Sequence, residues 1–497
     1  MSRINTNVNS MLSQRTLGLN NKSLSTSLER LSTGLRINRG ADDPSGLIAS
    51  ENLRSEKATI SAAIGNAERA DQVMNIAEGG LQEVNALLLE VQSLVGQSAN
   101  DAGISQDEKE ANQLEIDSIV QTIDRISQTT SFQGTKLLNG TYDFQVSDQD
   151  ANVEEVKVNA AKIGFGENRD VSVIVTQSAQ QAGLFLSTGA SLDLTDASST
   201  FSIDVAGSTG SRQFSFASGT SVDAMATAIN TFSDVTGVQA TVSGGGVRLN
   251  SADFGSDEFV SVDVLDDGGS TGAIGDYAAD DTATRGTNTT TFAAANTTVR
   301  DAGQDVGAVV NGVQATTDGR TVRVSSDVLD VEFTLDTAGA QTLEQTDAFT
   351  IDGGGASFNL GPGVNLANEV SIGIANVASR NLGSQANGFL SSLASGQANN
   401  VVDGDLGQAQ KVVDDAIDQV SSLRGRIGAF QKNTVGSTIR TLGVALENTS
   451  AAESAIRDTD FAETTAELTR NQILVNAATN VLGISNSRPQ SVLGLIG

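Results

Sequence analysis

The chain has 497 residues, of which 60 are acidic and 30 are basic, so its formal net charge is −30. Such a negative surface repels nucleic acid and anionic lipid, and we expect neither as a partner. The chain has no cysteine and no histidine, which excludes disulfides, thiolate nucleophiles, Ser-His-Asp triads and Cys/His zinc sites. The lack of cysteine fits export to an oxidising exterior as well as chance.

The first segment, residues 1–42, is predicted to be one helix with a leucine stripe. The stripe consists of Leu17, Leu24, Leu28, Leu31 and Leu35. Basic residues outnumber acidic ones in this segment although the whole chain is acidic, so we expect it to meet an acidic surface on another copy. The start of the chain lacks the apolar core and cleavage site of a secretory signal peptide.

The second segment, residues 43–175, begins with a long helix. Asp43 suits the N-cap and Pro44 the first helical position, and apolar residues then recur every seven positions to about Asn100. The row that we interpret as a coiled-coil seam includes Leu53, Ile60, Met74, Leu81 and Leu88. A helix of about 55 residues is roughly 80 Å long. A capping box at Ser105–Glu108 then predicts a second helix, which is followed by short strands.

The middle segment, residues 176–385, alternates apolar and polar residues in short runs and is predicted to form β-rich domains inserted between the helical ends. One helix is expected at about 221–230. The acidic run from Asp263 to Gly269 lacks the ligand spacing and the closing glutamate of an EF-hand. Adjacent acidic residues occur elsewhere, but nothing in the sequence selects a pair of carboxylates at the separation that a hydrolase needs. We therefore predict no catalytic residue, no cofactor and no metal.

The seven-residue row returns in the segment 386–452, where Val413, Val420 and Ile427 carry it. The row changes phase after Phe430, as at a coiled-coil stutter. The last segment, 453–497, is predicted to be a helix with a wide apolar face. That face includes Ile473, Leu474, Val481 and Leu482. The fold class is therefore α+β and multidomain: a coiled-coil α-helical rod from both termini carries inserted β-rich domains.

Both ends of the chain closely resemble bacterial flagellin. The N-terminal likeness is carried by MSRINTNVNSMLSQRTL, LERLSTGLRINRGADDPSGLIASENLRS and TSFQGTKLLNG. The C-terminal likeness is carried by IRDTDFAETTAELTRNQILVNAATNVLG and the closing PQSVLGLIG. A stretch at about 201–250 also looks like the small inserted motif of flagellins and hook proteins. Together the matching ends cover residues 1–140 and about 403–497, nearly half of the chain.

The resemblance implies a structural subunit, not an enzyme, that polymerises into the extracellular flagellar filament for motility. It implies two inner domains, commonly called D0 (residues 1–42 and 453–497) and D1 (43–175 and 386–452). It also implies export by the flagellar type III apparatus, an export chaperone, and contact with cap and junction proteins. Two alternatives stay open: a hook–filament junction protein of the same architecture, or a flagellin whose outer domain is enzymatic or adhesive. No stretch is long and apolar enough to span a membrane.

One stretch of the long helix resembles the surface that many flagellins present to the innate immune receptor TLR5. Leu94 is kept in it, and Glu115 stands where the family has a supporting glutamate. Glu90 and Gln92, however, stand where the family has two arginines. Because arginine is a frequent interface hot spot, the resemblance implies a contact that Glu90 weakens. The alternative is that this face serves filament packing and that any receptor contact is incidental.

Overall fold

The computed structural model describes residues 6–100, 102–164, 167–195, 199–278, 281–295 and 297–493. Residues 1–5 and 494–497, which carry part of the resemblance, lie outside that part. The chain divides into two compact units. The terminal unit comprises residues up to Gln72, Phe358–Asn368 and residues from Gly428 onward. The central unit comprises Val73–Ser357 and Glu369–Ile427.

The α-helices follow one another in chain order, with a π-helical segment at Phe430–Val435 between the seventh and the eighth. They are α1 (Val8–Thr33), α2 (Pro44–Ser98), α3 (Gln106–Thr129), α4 (Val222–Asn230), α5 (Ser233–Thr236), α6 (Thr337–Gln341), α7 (Leu406–Ala429), α8 (Gly436–Arg457) and α9 (Phe461–Leu493). Among the described residues, none of these helices has the length and apolar content that crossing a membrane requires.

The strands lie mostly between α3 and α7. They are β1 (Ser131–Phe132), β2 (Thr135–Lys136), β3 (Phe144–Ser147), β4 (Val153–Ala161), β5 (Arg169–Gln177), β6 (Gly183–Ser187), β7 (Thr200–Ala206), β8 (Ser211–Ala217), β9 (Val238–Ser243), β10 (Gly246–Ser251), β11 (Phe259–Asp266), β12 (Ala273–Ala278), β13 (Asp281–Thr291), β14 (Val299–Ala302), β15 (Gly307–Val310), β16 (Val313–Gln314), β17 (Thr316–Asp318), β18 (Thr321–Ser325), β19 (Leu329–Leu335), β20 (Gln345–Gly354), β21 (Ala356–Asn359), β22 (Glu369–Ile372), β23 (Gly383–Ser384) and β24 (Gly388–Phe389).

Local capping explains where the long helices begin. The Gly46 amide donates to Asp43 Oδ1 at 2.9 Å, so Asp43 caps α2 as its sequence position predicts. At α3 the capping box is complete, because the Glu108 amide donates to Ser105 Oγ and the Ser105 amide donates to Glu108 Oε2.

The β part of the central unit contains two sheet pairs, each around its own apolar cluster. In the first, the sheets β13-β12-β6-β10-β9 and β14-β11-β7-β8 share a core in which the Phe201 and Phe292 rings are 4.7 Å apart. In the second, the sheets β16-β15-β5-β20-β3 and β17-β18-β19-β4 share a core that includes Phe333 and Phe349. The sheets are therefore paired as in β-sandwiches.

Strand pairing links residues that we had assigned to different segments. β5 crosses the expected boundary at residues 175 and 176, and it pairs antiparallel with β15 and β20. β4 likewise pairs with β19, and β3 with β20. The strands between 144 and 177 thus share their sheets with residues 307–354. The residue bounds of the five segments stay a prediction, and the sheets themselves do not divide at 175.

Helix ends also differ from the expectation in three places. α1 ends at Thr33, because Gly34 adopts a left-handed conformation and caps it. Leu35 consequently lies outside the helix, where it forms a β-bridge with Asp458, and our placement of Leu35 on the helical stripe was wrong. The returning helix begins at Leu406 and extends to Arg457, past the expected limit of 452.

The phase change after Phe430 coincides with the π-helical segment Phe430–Val435. A π turn adds a residue to the helical repeat, so side chains beyond it face a new direction.

Candidate assembly surfaces

The two terminal helices, α1 and α9, pack against each other through small polar residues. The Asn7 side-chain amide donates to the Ser485 carbonyl at 2.7 Å, and Ser10 Oγ donates to Asn486 Oδ1 at 2.6 Å. Further along, the Asn471 amide donates to Ser27 Oγ at 3.0 Å. Ser10, Ser27 and Ser485 are all buried. The two terminal helices are therefore partners within one chain, and small polar residues join them.

Large apolar side chains of the same two helices point away from the seam into solvent. Met11 is 62% exposed and Ile473 is 63% exposed. The exposed set is Val8, Met11, Leu12, Leu19, Leu28, Phe461, Ile473, Leu474, Val481 and Ile484, and we call it the outer apolar face. Predicted stripe members that are half-buried are Leu17, Leu24, Leu31 and Leu482. The pair therefore buries several small polar residues while it leaves large apolar side chains exposed, which is unusual for a helical hairpin in water.

Of the outer apolar face, only Leu28, Ile473, Leu474 and Val481 were predicted from the sequence. Val8, Met11, Leu12 and Leu19 were missed, although their spacing of three, four and eleven places them on one side of a helix. The predicted leucine stripe lies on the opposite side of α1, because Leu17 is nine residues from Val8 and a helix has about 3.6 residues per turn.

In the central unit, the later part of α2 and α7 carry the seven-residue row inside an apolar core. Met74, Leu81 and Leu88 of α2 are fully buried, as are Val413 and Val420 of α7. Ile427 is fully buried as well. A half-exposed ion pair joins the same helices, with Arg424 Nε 2.9 Å from Glu78 Oε1. In the terminal unit, Ile60 is buried in a cluster with Ala63 and Leu442, and Leu53 is half-buried.

The residues at the receptor-like stretch have unequal access to solvent. Glu90 is exposed on α2 and Glu115 is exposed on α3. Gln92 is half-buried, and its amide donates to Asp414 Oδ1 at 2.7 Å. Leu94 is only 6% exposed, so its side chain belongs to the helical core.

Charged groups near helix ends and at the rim of the β domain have shifted pKa values. Hydrogen bonds from the Arg39 and Asn38 amides lower the pKa of Asp42, which precedes α2. Burial raises the pKa of Asp143, although the charge of Arg426 opposes that rise. Burial also lowers the pKa of Arg426, whose guanidinium donates to Asn159 of β4. This buried polar cluster ties α7 to the second sheet pair of the central unit.

Within the described ranges, no group of three or more Asp, Glu, His or Cys side chains is placed to hold a metal. What the sequence and fold provide are long helices at both ends, a polar seam between the terminal ones, and an apolar face without cover. These features define the class: a coiled-coil subunit that packs against further copies of itself.

Comparison with known proteins gives the family. The family model of the bacterial flagellin N-terminal helical region matches residues 4–143, and that of the C-terminal helical region matches residues 410–496. The flagellin hook IN motif matches residues 200–253. Flagellin B of Helicobacter pylori strain 26695 is 30% identical over 529 positions, covering 99% of both chains. The flagellin of Salmonella typhimurium strain LT2 is 29% identical over 517 positions, again covering 99% of both.

The chain belongs to the bacterial flagellin family, and it is a structural subunit of the flagellar filament. The family consists of structural proteins, not enzymes. Among solved structures, flagellar hook associated protein-3 of Legionella pneumophila superposes with a TM-score of 0.29 at 10% identity, covering 82% of this chain and 98% of its own. At so low a TM-score, this likeness supports no conclusion about the fold or the function of the chain.

Proposed function

We propose that α1 and α9 together form the polymerisation element of this subunit. The observation that carries the proposal is the outer apolar face, which the polar seam leaves in water. In the isolated chain this face has a cost, since isolated helices without apolar cover are marginal. In a filament, neighbouring copies cover it. A contact that repeats without closing on itself produces an open helical polymer.

The magnitudes favour contact with several neighbours over contact with one. Fully burying a large apolar side chain is worth about 1.5–3 kcal/mol. Because each member of the outer apolar face is already partly covered, its remaining gain is about 1 kcal/mol, or roughly 10 kcal/mol for the whole set. Association costs about 4–15 kcal/mol in lost freedom of motion. A single neighbour that covers half of the face gains only about 5 kcal/mol, near the lower end of that cost, whereas neighbours that together cover the whole face gain roughly 10 kcal/mol, which is near its middle.

The test is a pair of matched substitutions. Ile473 of the outer apolar face and Leu343 of the central unit are both 63% exposed. We expect Ile473→Asp to raise the critical concentration for polymerisation at least tenfold, while Leu343→Asp assembles like the wild type. Sedimentation of polymer and electron microscopy measure the outcome, and circular dichroism checks that both monomers fold.

A second arm removes the terminal helices altogether. A chain without residues 1–42 and 453–497 should stay soluble and folded and should form no filaments. Filaments from the trimmed chain, or from Ile473→Asp at the wild-type critical concentration, would contradict the proposal.

The resemblance supports further parts of the proposal that concern partners and route. The subunit is secreted through the flagellar type III apparatus with an export chaperone, and it assembles between the junction and the cap proteins. It has no enzymatic activity. It also does not bind nucleic acid or membrane, because a chain with a net charge of −30 is repelled by both. Binding of an isolated, fluorescent subunit to purified cap and chaperone proteins tests the partners directly.

Recognition by TLR5 is the remaining part, and we propose that it is weak. An unpaired carboxylate at position 90 in the centre of a contact costs about 2–5 kcal/mol, which is roughly 30- to several-thousand-fold in affinity. Glu90→Arg together with Gln92→Arg should strengthen signalling by monomeric protein in TLR5 reporter cells. Gln82→Arg together with Glu83→Arg, at two other exposed positions of α2, is the charge-matched control. Wild-type potency equal to that of an arginine-bearing flagellin would refute this part.

A further inference from the structure

A cleft of about 330 Å³ lies between α1 and α9, on the flank of the polar seam. Its charged lining consists of Lys22 and Arg30 from α1 and of Glu467 and Arg470 from α9. Ser27 and Asn471 lie in its wall and are hydrogen-bonded to each other at 3.0 Å. We call it the basic cleft.

The lining of the basic cleft carries more positive than negative charge. Among the described residues, Lys22, Arg30 and Arg470 form no ion pair, and Arg30 Nε is buried without a hydrogen-bond partner. The nearby Glu29 is already paired with Arg39, at 3.0 Å. The lining therefore carries three cations and one carboxylate, that of Glu467. Asp42, outside the lining, is in electrostatic range of Arg30, while Lys22 and Arg470 are exposed and open to a further anion. In a chain with a net charge of −30, such an excess of positive charge calls for a negative partner.

We infer that the basic cleft receives a carboxylate side chain from a neighbouring copy in the filament. This inference rests on the proposed role of the terminal pair in polymerisation. Guanidinium and ammonium groups bind carboxylates through charge-assisted hydrogen bonds, and a planar guanidinium can do so with two parallel bonds. A second copy is the favoured source, because the chain has 60 acidic residues against 30 basic ones. The face beside the cleft is moreover the one that neighbours cover.

The partner carboxylate gives assembly a charge dependence that apolar burial alone lacks. Loss of one cation from the cleft should raise the critical concentration, and loss of Glu467 should lower it, since this residue competes with the incoming carboxylate. High salt should reduce both effects, because at about 1 M salt the screening length falls to about 3 Å. Apolar contacts do not weaken in this way.

The experiment measures critical concentration by sedimentation of the full-length chain at about 0.05 M and about 1 M sodium chloride, at which the screening lengths differ severalfold. The cleft variants are Lys22→Gln, Arg470→Gln and Glu467→Gln. Arg15→Gln is the control for a lost positive charge, since Arg15 is exposed on α1 outside the cleft. Glu463→Gln, exposed on α9, is the control for a lost negative charge. Circular dichroism of the monomers verifies that each variant folds.

We expect Lys22→Gln and Arg470→Gln to raise the critical concentration about threefold to tenfold at low salt relative to Arg15→Gln. That ratio corresponds to about 0.6–1.4 kcal/mol. Glu467→Gln should lower the critical concentration relative to Glu463→Gln, and the differences should shrink at high salt. If the cleft variants match their controls while Ile473→Asp still blocks assembly, the cleft inference is wrong and the proposed function stands. If Ile473→Asp assembles normally, the proposed function itself fails.

Discussion

Two adjacent glycines in the middle of α2 provide the sharpest test of the packing. The two glycines differ in how closely other residues pack against them. A Cβ atom added to Gly79 meets nothing within 4 Å. A Cβ atom added to Gly80 would lie 2.8 Å from Leu138 Cδ1 and 2.9 Å from Thr130 Oγ1. Leu138 is fully buried, so its methyl group can give way only by shifting against the side chains that pack around it. Gly80 is therefore required by a close approach, whereas Gly79 has no such reason.

The expected effects of alanine at the two positions differ in sign. Alanine in place of glycine inside a helix stabilises by about 1 kcal/mol, and Gly79→Ala should gain that amount. Gly80→Ala should gain the same propensity but lose about 1–3 kcal/mol to overpacking. The two variants should therefore differ by about 1–3 kcal/mol, or several degrees in the midpoint of thermal unfolding, at roughly 2–4 °C per kcal/mol for a domain of about 150–250 residues.

The assay is circular dichroism of monomeric protein at the helical band during heating. Because a chain of several domains does not unfold in one step, the midpoint of the helical transition is compared instead of a total free energy. The double variant should equal the sum of the two single ones if Gly79 does not touch the packing around Gly80. A Gly80→Ala midpoint that rises as much as that of Gly79→Ala would show that Leu138 does not pack on this turn.

Three further predictions concern the central unit. Leu81→Asp places a carboxylate in a fully buried site and should cost several kcal/mol, lowering the helical melting midpoint, whereas the 49% exposed Leu89 should tolerate Leu89→Asp. Burial raises the pKa of Asp143, so the folded protein keeps a proton that the unfolded chain releases, and the stability from this group falls as pH rises through the raised pKa. The midpoint of thermal unfolding of Asp143→Asn should therefore rise relative to that of the wild type as pH increases through the raised pKa. A difference in midpoint that does not change with pH would contradict this prediction. Excision of residues 181–303, which carry the first sheet pair, should leave filament formation intact by electron microscopy, because Gln180 and Gln304 are already joined by backbone hydrogen bonds of 2.8 and 2.9 Å. A chain that fails to polymerise would show that contacts of this sheet pair are essential.

The periodic parts of this fold could be predicted from the sequence, because each period reports which side of an element is buried. The row through Met74 and Leu81 gave both the helix and its buried side, and the alternation in β18 and β19 gave strands. The partners of those strands could not be predicted, since alternation marks a face but not a neighbour. β4 and β19, for example, are separated by the whole first sheet pair.

The seam between α1 and α9 was missed for a different reason. Its residues are serines and asparagines, and periodicity analysis weighs apolar residues only. Leu94 shows a limit of inference from family resemblance. It matches a family position in the receptor-like stretch, but its side chain packs in the helical core beside Val95, the next member of the seven-residue row after Leu88. At that position the internal packing of the helix decides the exposure.

The polar seam has a consequence for how filaments respond to dilution. A hydrogen bond between neutral groups contributes only about 0.5–1.5 kcal/mol to stability, so the few bonds between α1 and α9 hold the pair weakly in a free subunit. Most of the free energy that orders these helices must then come from contacts that exist only in the polymer. Growth should consequently have a sharp threshold in subunit concentration, and that threshold shifts tenfold for every 1.4 kcal/mol that a substitution removes from the contacts at a filament end.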